Sequence, residues 1–197
     1  MPYYHTIGSI PHKRHTQFRQ ADGSLYAEEL FSTEGFSNDY SLLYHCHAPT
    51  FIIRTDTPIN IQPTIAEPKM LKHRSFQGFR INAEEDYLKS RKPILVNNDV
   101  HISLAAPSQS MTDYFFKNAD ADEMIFVHEG SGMVKTMYGN ISFGYGDYVI
   151  IPRGTVYQID FSTTINRLFL VESFSPIRFP KQYLSKYGQL MEHAPFC

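Results

Sequence analysis

The sequence has no tryptophan, only two cysteines and almost no charge imbalance, with 18 Lys and Arg against 20 Asp and Glu and a formal net charge of -2. Two cysteines, Cys46 and Cys197, cannot build the disulfide framework of a small secreted domain, and the opening MPYYHTIGSIPHKRH contains no apolar stretch of signal-peptide type. A reducing, cytoplasmic setting is therefore expected. Charge that is balanced and free of long runs creates no field to hold a phosphate backbone, so nucleic acid is not expected as a partner. Apolar runs are short as well. The longest, near 148–151 and 168–171, are strand-sized and far below the roughly 18–20 residues that cross a bilayer, so no membrane partner is expected. A Gly-x-Ser-x-Gly elbow, a phosphate loop, a nucleotide fingerprint and a zinc cysteine cluster are all missing.

What is present favours strands. The chain carries 13 Tyr and 15 Phe, with 12 Pro and 11 Gly, a mixture suited to pleated strands joined by tight turns. At 197 residues and 42% hydrophobic it is long enough for one domain, or one and a fraction, with a real core. The expected fold is all-β. Residues 1–90 read as an irregular β-rich amino-terminal extension, with turn clusters at 21–24 and 33–36, short strands at 42–45 and 51–54, and one short helix at 84–89 ended by Pro93. From Ile94 a strand series follows at 94–97, 100–105, 123–128, 133–138, 140–143, 147–151, 156–161 and 167–173, giving a barrel over 91–175. Residues 176–197 form an aromatic and Pro-bearing tail with no period of its own, which must lie on something else. In the strand at 123–128, Met124, Ile125, Phe126 and Val127 leave no polar face, so both faces should be covered, by a loop or tail of the same chain or by another domain or subunit.

One motif carries information. Glu123 is followed by Gly130, and Gly146-Asp147-Tyr148-Val149-Ile150-Ile151-Pro152-Arg153-Gly154 lies downstream. This is the skeleton of the two cupin motifs, in which a double-stranded jelly roll brings a His-x-His pair, a Glu and a later His around one metal. The His-pair positions here hold Phe116 and Asn118 in one register, or Lys117 and Ala119 in the other, and the last His is replaced by Tyr157. A neutral phenol is a poor ligand, and a redox iron site needs two imidazoles and a carboxylate on one face. Only Glu123 survives, and it is expected to be a structural carboxylate hydrogen-bonded inside the barrel or at its mouth. Phe116, Asn118, Glu123 and Tyr157 are thus degenerate cupin positions, and no catalytic, cofactor-binding or metal-binding residue is assigned.

The remaining candidates are weaker. His45 and His47 flank Cys46 on a strand and could share a face, but no carboxylate follows at a useful spacing. The run His12-Lys13-Arg14-His15-Thr16-Gln17-Phe18-Arg19 reads as a solvated or intersubunit basic segment. His5, His73, His101, His128 and His193 are scattered and read as packing residues.

The segments 11–19, 23–31, 113–123 and 146–154, with the final 187–193, resemble bacterial homogentisate 1,2-dioxygenase, specifically its amino-terminal half. The resemblance implies an iron(II) extradiol-type dioxygenase of tyrosine and phenylalanine breakdown, which opens a small aromatic substrate, homogentisate, to maleylacetoacetate. It implies two cupin-like halves, iron held by two His and one Glu in the carboxyl-terminal half, and trimers paired into hexamers. The family's iron motif sets a Glu six residues after a His, and none of the nine histidines here has that neighbour. The expectation is a structural and oligomerising half, inactive alone, holding no cofactor of its own and partnered by a carboxyl-terminal domain beyond Cys197. The alternative is a metal-free cupin that binds a small ligand in its barrel without catalysis. A minimal dioxygenase with iron on His45, His47 and a distant carboxylate is a third reading, and the spacing does not advertise its ligands.

Overall fold

The computed structural model describes residues 17–37, 40–49, 62–67 and 72–195, with positions 53, 54, 57 and 60 between them. His5, most of the basic run at 12–19, Phe51, Ile52 and Cys197 lie outside the described residues. The chain divides into two compact units, one spanning Ile10–Leu71 and one running over Lys72–Cys197 together with the first nine residues.

In the smaller unit, β1 (Ala27–Phe31) pairs antiparallel with β2 (Ser41–His45), in a register that sets Ala27 opposite His45 and Phe31 opposite Ser41. The sequence Ala-Glu-Glu-Leu-Phe gives no strand signal by propensity; the ladder to β2 overrides it. Ile53 and Arg54 carry no strand, so the one expected at 51–54 is not seen at its described positions.

The larger unit is all-β. Its strands are β3 (Lys92–Val96), β4 (Val100–Ala105), β5 (Phe116–Lys117), β6 (Asp122–Glu129), β7 (Gly132–Thr136), β8 (Gly139–Phe143), β9 (Tyr148–Ile151), β10 (Val156–Phe161) and β11 (Arg167–Ser173). They form two antiparallel sheets, ordered β5-β10-β7-β8 and β3-β4-β11-β6-β9. From β8 onward the chain alternates between the sheets strand by strand, which is the wiring of a double-stranded jelly roll of cupin type. Pro93 is tolerated because β3 is an edge strand, and a bulge follows it. Between the sheets lie Ile125 and Val127 of β6, Val149 and Ile151 of β9, Tyr157 and Ile159 of β10, and Leu168 and Leu170 of β11. Their strict alternation is the period-2 signal of a buried strand face, and each apolar side chain so buried contributes about 1.5–3 kcal/mol.

The helix expected at 84–89 does not form. Glu85 has φ +28°, and the Asp86 carboxylate accepts from the backbone N–H of Leu88 and Lys89, while Ser90 N–H donates to the Asp86 carbonyl. A side chain that caps its own backbone this way yields one turn and stops. That turn delivers Tyr87, which is fully buried in the core.

The outer face of the five-stranded sheet is apolar across its width. One row of directly paired residues runs Leu104–Phe169–Phe126–Tyr148, with Lys92 at its β3 edge, and the next runs Leu95–Ile102–Val171–Met124–Ile150. The doubly apolar strand expected at 123–128 is therefore part of a larger surface. Segment 76–81 lies over part of it, yet Tyr148 remains 64% exposed, Leu95 54% and Ile150 42%.

The tail is tied down at its start. Asp122 accepts from the Arg153 backbone and side chain through one oxygen and from Ile177 N–H through the other, and Arg153 also donates to the Phe174 carbonyl.

Candidate functional site

The degenerate cupin positions converge at one end of the barrel. Glu123, on the inward row of β6, is 1% exposed, and Tyr157 of β10 is fully buried. The Tyr157 hydroxyl donates to Glu123 Oε2 at 2.5 Å. Phe116 sits opposite Tyr157 in the β5–β10 ladder and sets its ring edge-on at 5.6 Å, so the register is the one with Phe116 and Asn118 inward. Asn118 is held by Gly154, whose N–H donates to the Asn118 carbonyl at 2.7 Å from a turn that needs φ +82°, a value glycine adopts without strain.

Three residues outside the motif complete the cluster. Arg91 donates from Nη1 to Glu123 Oε1 at 2.8 Å and from Nη2 to Glu172 Oε2 at 2.8 Å. Asn118 Nδ2 donates to the other oxygen of Glu172 at 2.9 Å. The Tyr87 ring lies beneath the guanidinium at 5.5 Å, and its hydroxyl is a buried polar atom with no hydrogen-bond partner among the described residues. Glu123 and Glu172 are directly opposite in the β6–β11 register, an arrangement that repels when both are charged. Arg91 bridges them.

The electrostatics follow from one cation shared by a buried and a partly buried carboxylate. Burial pushes the Glu123 carboxyl up from its ordinary value, and Arg91 together with the Tyr157 hydrogen bond pulls it back only in part. Burial opposes the Arg91 charge, but Tyr87, Glu123, Glu172 and Tyr157 together outweigh it and raise the guanidinium further. Burial, reinforced by neighbouring Tyr87 and Glu123, lifts the Tyr157 phenol well above its usual range, so it stays a neutral donor.

A metal of the kind the motif implies does not fit these residues. Both Glu123 oxygens are engaged, one by Arg91 and one by Tyr157. Asn118 donates to Glu172 and accepts from the backbone of Asp120 and Ala121. Phe116 has no donor atom, and among the described residues no imidazole bonds to the cluster. Among the described residues no three His, Cys, Asp or Glu are grouped as metal ligands would be.

The histidine candidates separate. His45 Nε2 meets Glu29 Oε2 of β1 at 2.7 Å, so a carboxylate absent from the local spacing arrives across the hairpin. His47 lies in a bend past the end of β2, where the alternation that would set it on the face of His45 no longer holds. Cys46 is exposed. His101 packs edge-on against Phe174 at 4.9 Å, and His128 against Phe79 at 4.5 Å.

Two voids bear on ligand binding. The one inside the barrel, between Ile125, Val134, Phe143 and Ile159, is apolar and about 10 Å³, room for one water and no organic molecule. The larger, about 570 Å³, lies between segment 76–81 and the outer sheet face at Phe126 and Phe169. Its Arg167 is already paired with Glu129 and the Ile81 carbonyl.

Comparisons with known proteins agree on one family. The family model described as homogentisate 1,2-dioxygenase N-terminal matches residues 5–182. A protein of Saccharolobus solfataricus named "Putative dioxygenase" is 37% identical over 195 residues, covering 98% of this chain and 49% of that protein. A homogentisate 1,2-dioxygenase of Rhodopseudomonas palustris is 35% identical, with 85% of this chain and 41% of that protein covered. The chain thus spans about half the length, or less, of these relatives. Among solved structures, a cupin superfamily protein of Desulfitobacterium hafniense aligns at a TM-score of 0.44 and 12% identity, covering 56% of this chain and all of that one. The matched family model covers the motif, the barrel and the segment supplying Arg91 and Tyr87, and the chain belongs to the homogentisate 1,2-dioxygenase amino-terminal family.

Proposed function

We propose that this chain is the amino-terminal, non-metal half of a homogentisate 1,2-dioxygenase, acting in structure and assembly, with iron(II) and its ligands supplied by a carboxyl-terminal half. The observation that carries this reading is the filled cupin site. Where metal ligands would stand, Glu123 is bonded to Arg91 and Tyr157, and Asn118 to Glu172 and its own backbone. Such a centre has no open position for oxygen or a dihydroxyphenyl substrate.

The apolar outer face supports a covering partner. Two rows of side chains spanning the sheet, with Tyr148 and Ile150 exposed, suit a second domain or subunit of the same enzyme. The family's trimers and hexamers would use such surfaces, and the reaction would run in a reducing, cytoplasmic compartment. The alternative of a ligand held inside the barrel is opposed by the one-water void there.

The test is oxygen uptake with homogentisate on the purified chain after anaerobic iron(II) loading, with bound iron quantified in the same sample. No uptake and no retained iron are expected. Uptake with about one iron per chain would overturn the reading.

A further inference from the structure

We propose that the Arg91 guanidinium is the resident cation of this barrel, held between Glu123 and Glu172 while Tyr157 and Asn118 fix their other oxygens, so that the occupant of this oxygen-lined cation site is built into the chain. The geometry makes the case in three steps. First, β6 and β11 set Glu123 and Glu172 directly opposite each other on the inner face. Two carboxylates so placed, one of them 1% exposed, need a positive charge between them. Second, Arg91 supplies it, reaching each carboxylate at 2.8 Å from a different nitrogen. Planar forked donors suit such bridging better than a point charge does.

Third, the motif positions are organised around that cation. Glu123 contacts it, Tyr157 holds the other oxygen of Glu123, Asn118 holds the other oxygen of Glu172, and Phe116 packs on Tyr157. The positions from which a cupin would gather metal ligands support an internal cation. The ring of Tyr87 closes the site from the side of the turn that also carries Arg91. An ordinary core ion pair would not require these same positions.

This inference concerns the chain's own barrel and stands apart from the proposed enzymatic role, because iron retention tests one and cation rescue tests the other. The experiment uses the full chain with Arg91→Ala, followed by thermal unfolding with methylguanidinium or manganese(II) added. The variant is expected to melt about 10 °C lower. Either cation should raise the midpoint in a saturable way, as mass action requires, while leaving the wild type unmoved. Loss of stability that neither cation restores would overturn the proposal, and so would an equal rise in the wild type.

If Arg91→Ala does not fold, Arg91→Lys and Arg91→Met decide. Lysine keeps the charge and should retain more than half of the midpoint lost by methionine, which fills volume without charge. Equal midpoints for the two would overturn the proposal.

Discussion

On the inner face of the five-stranded sheet, Glu123 and Glu172 stand side by side beneath Arg91, Glu123 buried and Glu172 partly so. On the outer face of the same strands, Phe126, Tyr148 and Ile150 form part of an apolar surface that is only partly covered. Globular domains usually do the reverse. The contrast shows that two different demands shaped one sheet. Inside, a polar centre at the cupin motif positions is kept by pairing every charge. Outside, apolar side chains stand partly exposed, which is the surface we propose a second domain or subunit covers.

The inner face should break first. Glu123→Leu removes the acceptor for both Arg91 and Tyr157 and is expected to cost about 3–5 kcal/mol in chemical denaturation, with no change in bound iron. Glu123→Gln keeps one acceptor and drops the buried charge, so about 1–2 kcal/mol is expected. The two variants also separate by pH. The Glu123 carboxyl is raised in the folded chain, so the folded state holds its proton more tightly than the unfolded one. Its contribution is complete below the ordinary value of 4.5 and is lost as pH rises through the higher folded value. Wild-type stability should fall across that window, and the glutamine variant should lack this part of the slope. A glutamine variant with the wild-type slope would move the titration elsewhere in the cluster.

The outer face should barely respond. Ile150→Ser with Tyr148→Ser is expected to change the stability of the chain by about 0.5 kcal/mol per site, while lowering concentration-dependent association seen by light scattering. A large loss of stability would mean that the chain covers these residues itself. The smallest effect belongs to Tyr87→Phe. Its hydroxyl has no hydrogen-bond partner among the described residues, so removing it should leave the free energy of unfolding within about 0.5 kcal/mol of wild type.

Much of the barrel is legible because its signals are local. Turns at Gly130, Gly139, Gly146 and Gly154 bracket alternating strands, and the ladders of β6 through β11 follow. β5 has two residues and no period to detect, and the turn at Asp86 imitates a helix start until the positive φ at Glu85 is known. Within the site, Glu123 and Tyr157 are marked by motif spacing. Arg91 comes from an irregular segment 32 residues before Glu123, and Glu172 lies 54 residues beyond Asn118. Their meeting is a property of the sheet register, for which a single sequence has no local sign. Two glutamates destined to lie opposite each other would have been the clue, since such a pair needs a cation.

The Asp122 tie gives the barrel a mechanical character. Ile177 N–H is fixed to Asp122, Asp122 to Arg153, the adjoining Gly154 to Asn118, Asn118 to Glu172, and Glu172 to Arg91. The place where the polypeptide leaves the last strand and the charged centre are thereby links of one taut line. A pull applied beyond Ile177 would load the ladders of β11 to β4 and β6 first, with the Asp122 contacts sharing it where the chain leaves the sheet.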